Sequence, residues 1–193
     1  MLKYPIYIRS VTNLSDARYC AGMGVEMIGF CFDPQSADYI EPTIAQGIIG
    51  WLSGVKIVAE FGENNEAEMQ LLIEELKPNM ISVSAKSHFS DEILPIIYRI
   101  DLANELKVYP PAGSFVLIEN SAENLNNYYT NFLKKEISGP YKLIFGTGFV
   151  KETIDEVQNV YQPYGYSLKG GKEIMPGLKN FDELADILEA IEI

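Results

Sequence analysis

Short runs of β-branched and aromatic residues alternate along this chain with longer segments whose apolar positions recur every three or four residues. The first pair is a strand at Ile6–Arg9 and a helix at Leu14–Ala21, capped by Thr12 or Asn13 and broken at Gly22-Met23-Gly24. Met27–Phe32 is the second strand, followed by a loop with Pro34 and a helix near Thr43–Leu52. Val55–Phe61 is the third strand. Asn64 or Asn65 then opens an acidic helix, Glu66–Leu76, with Met69, Leu72, Ile73 and Leu76 on one face. Further strands are predicted at Met80–Val83, Ile96–Ile100, Phe115–Glu119, Tyr141–Phe145 and Tyr166–Lys169. Between them lie a weak helix from about Asp91, a short segment Ala103–Val108 stopped by Pro110-Pro111, and helices at Ser121–Glu136 and Lys151–Tyr161. Phe181–Ile191 closes the chain as a helix with Leu184, Ile187, Leu188 and Ile191 on one stripe.

Strands that alternate with helices in this way predict βαβ units, a parallel sheet and the α/β class. A closed barrel and an open doubly wound sheet both satisfy the pattern. The count of repeats favours the closed barrel, one domain spanning residues 1–193 with neither a low-complexity segment nor a linker.

Composition narrows the functions. The net charge of −12 argues against nucleic acid or an anionic membrane as the main partner, since both select basic patches. It leaves room for a small phosphorylated ligand, which a nest of backbone N–H groups holds inside an acidic protein. No apolar run reaches the roughly 18 residues of a membrane span, and the first residues carry no signal-peptide pattern, so a cytoplasmic location is expected. Cys20 and Cys31 are not in metal-type spacing and are expected as buried thiols. A lone histidine, His88, makes neither a triad nor a metal site, so no metal or cofactor is expected.

In parallel barrels the residues just after each strand carry the chemistry. Three such blocks in order, Ile8-Arg9-Ser10-Val11-Thr12-Asn13-Leu14-Ser15-Asp16-Ala17, Gly29-Phe30-Cys31-Phe32-Asp33-Pro34-Gln35-Ser36 with Tyr39-Ile40, and Pro163-Tyr164-Gly165 with Glu173 through Pro176-Gly177-Leu178-Lys179, resemble motifs of the phosphoribosylanthranilate isomerase family. The resemblance covers both ends of the chain and, more weakly, its middle. It implies a (β/α)8 TIM barrel of the ribulose-phosphate-binding type, and an Amadori rearrangement in tryptophan biosynthesis.

The departures from the family fall on the catalytic positions. The family's general base, a cysteine ending the first strand, is Arg9 here, and a guanidinium protonated past about pH 12 accepts no proton at neutral pH. Tyr7 replaces a lysine, and Ser10 a glycine. Asp38 stands where the family binds the substrate carboxylate with an arginine. Glu119 keeps a carboxylate at the family's general-acid position, one methylene longer, but the glycine-rich stretch after it has become Ser121-Ala122-Glu123-Asn124-Leu125. Such paired reversals lead to the expectation that Arg9 points into the barrel mouth and forms a charge pair with Asp38, Glu119 or both.

The phosphate end departs less. The family holds phosphate on turns after strands seven and eight, and this implies a site at Thr147, Gly148, Lys169, Gly170 and Gly171, of which Gly148 and Gly171 match family glycines. The expectation is a divergent or inactive isomerase-like barrel with a small anionic or phosphorylated ligand at its mouth. The alternatives are an active isomerase with atypical groups and a non-enzymatic interaction protein using Tyr128, Tyr129 and Phe132. Ligand identity and oligomeric state stay open.

Overall fold

The computed structural model describes residues 1–62, 64–84, 94–103, 110–120, 140–170, 173–175, 178–179 and 182–193. Its first strand, β1, is Ile6–Arg9, as expected. Then come α1 (Leu14–Gly22), β2 (Met27–Cys31), α2 (Pro42–Ile49), β3 (Lys56–Glu60), α3 (Glu66–Leu76), β4 (Met80–Ser84), β5 (Ile96–Asp101), β6 (Phe115–Glu119) and β7 (Lys142–Phe145). The order ends with α4 (Ile154–Tyr161), β8 (Gly165–Lys169), β9 (Glu173–Met175), β10 (Leu178–Lys179) and α5 (Asp182–Ala190).

Strands β1 to β8 pair in sequential order and close into a barrel, which removes the open-sheet alternative. All eight ladders are parallel. Closure comes from β8 on β1, with Ile6 opposite Tyr166 and Arg9 opposite Lys169.

Alternation along each strand divides the core in two. Tyr7, Met27, Val58, Met80, Ile97, Leu117 and Ile144 fill the inside of the barrel as one buried cluster. Their sequence neighbours, among them Ile6, Ile8, Ile28, Ile81, Val116 and Phe145, pack outward with the apolar stripes of the helices. Both faces of the strands are covered, so they read as nearly unbroken apolar runs. A polar residue in such a strand is therefore a departure that needs a partner.

The starts of α1 and α3 rest on side-chain caps. Asn13, not Thr12, caps α1, accepting from Asp16 N at 2.9 Å. Asn65 makes a capping box on α3, accepting from Glu68 N at 3.0 Å while Glu68 accepts from Asn65 N at 3.2 Å. On α3, Met69 and Leu76 are buried and Leu72 and Ile73 half-buried, which matches the predicted stripe. Buried Leu184, Ile187, Leu188 and Ile191 seat α5 and the residues after it on the barrel. The same end holds the first residues, with Lys3 N donating to Ile191 O at 2.9 Å and Ile193 N to Met1 O at 2.8 Å.

Three differences stand out. The predicted helix at Lys151–Tyr161 begins only at Ile154, because Val150–Thr153 form a turn in which Val150 N donates to Thr153 Oγ1 at 3.1 Å. The antiparallel β9–β10 hairpin was not expected, since two- and three-residue strands leave no periodic signal. The expected helices from Asp91 and at Ser121–Glu136, and most of Ala103–Val108, lie outside the described residues, as do His88, Tyr128, Tyr129 and Phe132. No helix among the described residues is long and apolar enough to cross a membrane.

Candidate functional site

At the C-terminal ends of the strands the inward positions turn polar. Period two carries Tyr7 to Arg9, Val58 to Glu60, Ile97 to Arg99, Leu117 to Glu119 and Ser167 to Lys169, lifting each charge one layer above the apolar interior. These residues, with Ser10, Cys31, Asp33, Ser36, Asp38 and Gly62, line a cavity of about 220 Å³.

Glu60 is its floor. The residue is wholly buried, and its carboxylate accepts from Tyr7 Oη at 2.7 Å, Ser10 N at 3.1 Å and Ser10 Oγ at 2.8 Å. The neighbouring strand makes room for it: a Cβ on Gly29 would run into the Glu60 carboxylate and stand 2.8 Å from Tyr7 Oη. Ser10 sits at φ 53°, in the left-handed region that non-glycine residues disfavour, and its two bonds to Glu60 hold it there. Burial first, and the Glu60 charge second, push the Tyr7 hydroxyl well above its ordinary pKa, so it stays a donor.

Two ion pairs cross the mouth. Arg9 on β1 pairs with Glu119 on β6, three strands away on the far side of β7 and β8. Their side chains are 14% and 29% exposed, so the pair is largely withdrawn from water. Lys169 on β8 pairs with Asp38 in the loop after β2. Of the two carboxylates expected near Arg9, Glu119 is its salt-bridge partner, whereas the Arg9–Asp38 pair is corrected, since Asp38 pairs with Lys169. The register explains it. Arg9 and Lys169 lie side by side on adjacent strands, and the loop after β2 passes over β1 to bring Asp38 to the second cation.

Arg99 is partnered differently. Its Nη2 donates to Phe61 O at 2.5 Å, and burial, then the Arg9 charge, lower its pKa from the ordinary guanidinium value. Cys31, at the end of β2, is a buried free thiol in the same cavity, and Cys20 is a buried free thiol on α1.

The expected phosphate residues lie together on the rim. Thr147 and Gly148 follow β7, and Lys169 and Gly170 end and follow the neighbouring β8. Gly148 adopts φ 83°, where a side chain would be strained. Lys169 points its ammonium at Asp38. Gly171 lies outside the described residues.

No family model matches the chain. An N-(5'-phosphoribosyl)anthranilate isomerase from Aquifex aeolicus is 24% identical over 203 residues, covering 95% of this chain and 96% of that protein. One from Chlorobium phaeovibrioides is 21% identical over 211 residues, with 96% of each covered. The chain resembles phosphoribosylanthranilate isomerases over nearly its whole length. Among solved structures, the phosphoribosylanthranilate isomerase of Thermus thermophilus superposes with a TM-score of 0.79 at 22% identity, covering 96% of this chain and 97% of the other. A phosphoribosylanthranilate isomerase in complex with reduced 1-(o-carboxyphenylamino)-1-deoxyribulose 5-phosphate superposes with a TM-score of 0.75 at 18% identity, covering 97% of this chain and 98% of that one. At such identities the superpositions establish the isomerase-like TIM barrel.

Seven described cavity residues escaped the sequence reading as site residues: Glu60, Arg99, Ser10, Cys31, Asp33, Ser36 and Gly62. A signal for the first two was present. Each is a charge at the C-terminal end of an otherwise apolar strand, two residues past an inward Val58 or Ile97.

Proposed function

We propose that this chain is an isomerase-like barrel that binds a small anionic or phosphorylated ligand at its C-terminal mouth and does not isomerise phosphoribosylanthranilate. The observation that carries this reading is the Arg9–Glu119 ion pair. It joins the two positions to which the family resemblance assigns the base and the acid. A guanidinium accepts no proton, and a carboxylate held against one stays ionised and makes a poor acid near neutral pH. Losing a general base costs about 10²–10⁴ in rate. Asp38 in place of a carboxylate-binding arginine removes a further, independent part of substrate binding. Support for an anionic ligand comes from the three cations of the cavity and from the turns at Thr147, Gly148, Lys169 and Gly170, whose main-chain donors need no particular side chain.

Titrating the protein with ribose 5-phosphate and with inorganic phosphate by calorimetry tests the binding half. Saturable binding of either, weakened by Gly148→Ala, is expected; heats indistinguishable from dilution contradict it.

The second reading, an active isomerase, is favoured by the full-length similarity to proteins of that name. It requires proton transfer through Glu119, Cys31 or Glu60. Glu119 is ion-paired, and Glu60 is wholly buried with three donors already on it. A catalysed loss of phosphoribosylanthranilate fluorescence that Glu119→Gln or Cys31→Ala abolishes would establish this reading over the first.

A further inference from the structure

We propose that Arg99 anchors a carboxylate-binding subsite on the β5 side of the mouth, apart from the turns after β7 and β8, so that the ligand is a small organic acid or its phosphorylated form. The inference rests on the ligand-binding reading above and specifies the chemistry at one end of that ligand.

Among the described residues the cavity holds three cations, and two of them are neutralised: Arg9 by Glu119 and Lys169 by Asp38. Arg99 is not. Among the described residues no carboxylate lies within salt-bridge distance of it, and its one hydrogen bond goes to an uncharged acceptor, Phe61 O. A guanidinium presents five N–H donors, so most of this fork is uncommitted. Glu60 attracts Arg99 from beyond salt-bridge distance, while its carboxylate takes its hydrogen bonds from Tyr7 and Ser10. Burial penalises the charged form of Arg99, and Arg9 adds repulsion, so a counter-ion would relieve both. In the same cavity the buried Nε of Arg9 has no hydrogen-bond partner among the described residues, although its Nη1 is paired.

Uncommitted guanidinium donors in one small cavity match a planar carboxylate, which takes two parallel N–H bonds from an arginine. Among the described residues the cavity measures about 220 Å³, which suits a short acid.

Malonate and inorganic phosphate serve as separate probes on the full chain, titrated by calorimetry against wild type, Arg99→Met and Arg99→Lys, with folding checked by circular dichroism. The expected result is malonate binding that weakens at least about tenfold in Arg99→Met and less in Arg99→Lys, with phosphate affinity unchanged in both. Equal malonate affinity in wild type and Arg99→Met overturns the subsite. So does phosphate binding by a wild type that ignores malonate, or a loss confined to phosphate, while the ligand-binding reading stands. If neither probe nor ribose 5-phosphate binds, that reading falls and this one with it. Should Arg99→Met not fold, Arg99→Lys decides, since the point charge lacks the fork: malonate affinity equal to wild type overturns the proposal.

Discussion

Replacing Glu60 by glutamine keeps the shape of the side chain and removes its charge, at a wholly buried position. The carboxylate takes hydrogen bonds from Tyr7 Oη, Ser10 N and Ser10 Oγ. A bond to a charged acceptor contributes about 1.5–3 kcal/mol and one to a neutral acceptor about 0.5–1.5 kcal/mol, so about 1 kcal/mol is lost per bond and about 3 kcal/mol in all. The same change withdraws a negative charge that attracts Arg99 from beyond salt-bridge distance, which adds to the loss. For a chain of this size about 3 kcal/mol lowers the midpoint by about 6–12 °C. Thermal unfolding followed by far-ultraviolet circular dichroism is the assay, because Trp51 is 71% exposed and reports poorly on the core. As a control, Asp186→Asn breaks the exposed Lys151–Asp186 pair and is expected to leave the midpoint unchanged. A Glu60→Gln protein as stable as wild type would refute the argument that a charge is needed at the barrel floor.

Other consequences concern the caps, alkaline pH and the mouth. Asn65→Ala removes the capping box of α3 and is expected to cost about 1 kcal/mol in urea unfolding; no change would mean that packing alone sets this helix start. Burial, then the Asp16 charge, pushes the Cys20 thiol from about 9 up to about 12. The unfolded chain therefore releases that proton first: the contribution is whole below about pH 9 and falls by about 1.4 kcal/mol per pH unit toward 12. Cys20→Ala is expected to flatten the stability curve between about pH 9 and 10, and an unchanged slope there would contradict the burial argument. Arg9→Cys restores a thiol at the family's base position but leaves Asp38 and the segment after Glu119 as they are, so it is expected to yield no isomerase turnover; substantial turnover would show that Arg9 alone blocks the chemistry.

Much of the barrel was readable because its strands are covered on both sides. Ile6–Arg9 and Phe115–Glu119 coincide with their predicted bounds, and the other strands begin or end within two residues of them. Closure over an open sheet was not settled by periodicity, since both place a helix between parallel strands; the β8–β1 ladder decides it. The site was legible only where residues sat at positions the resemblance marked, such as Arg9, Asp38 and Glu119. Partner choice depends on how loops cross strands, and the loop after β2 sends Asp38 to Lys169. Glu60 and Arg99 were passed over because a single charge at a strand end resembles the start of a solvated loop. Only the inward register of Val58 and Ile97 assigns those charges to the mouth.

The central claim is that the Arg9–Glu119 pair has replaced the proton-transfer machinery of an isomerase-like barrel. The most direct measurement follows phosphoribosylanthranilate fluorescence over time with purified protein, alongside Glu119→Gln and a no-protein control. The account predicts that the wild-type trace and the Glu119→Gln trace both coincide with the control. A wild-type trace that falls in proportion to protein concentration, and reverts to the control in Glu119→Gln, would contradict it.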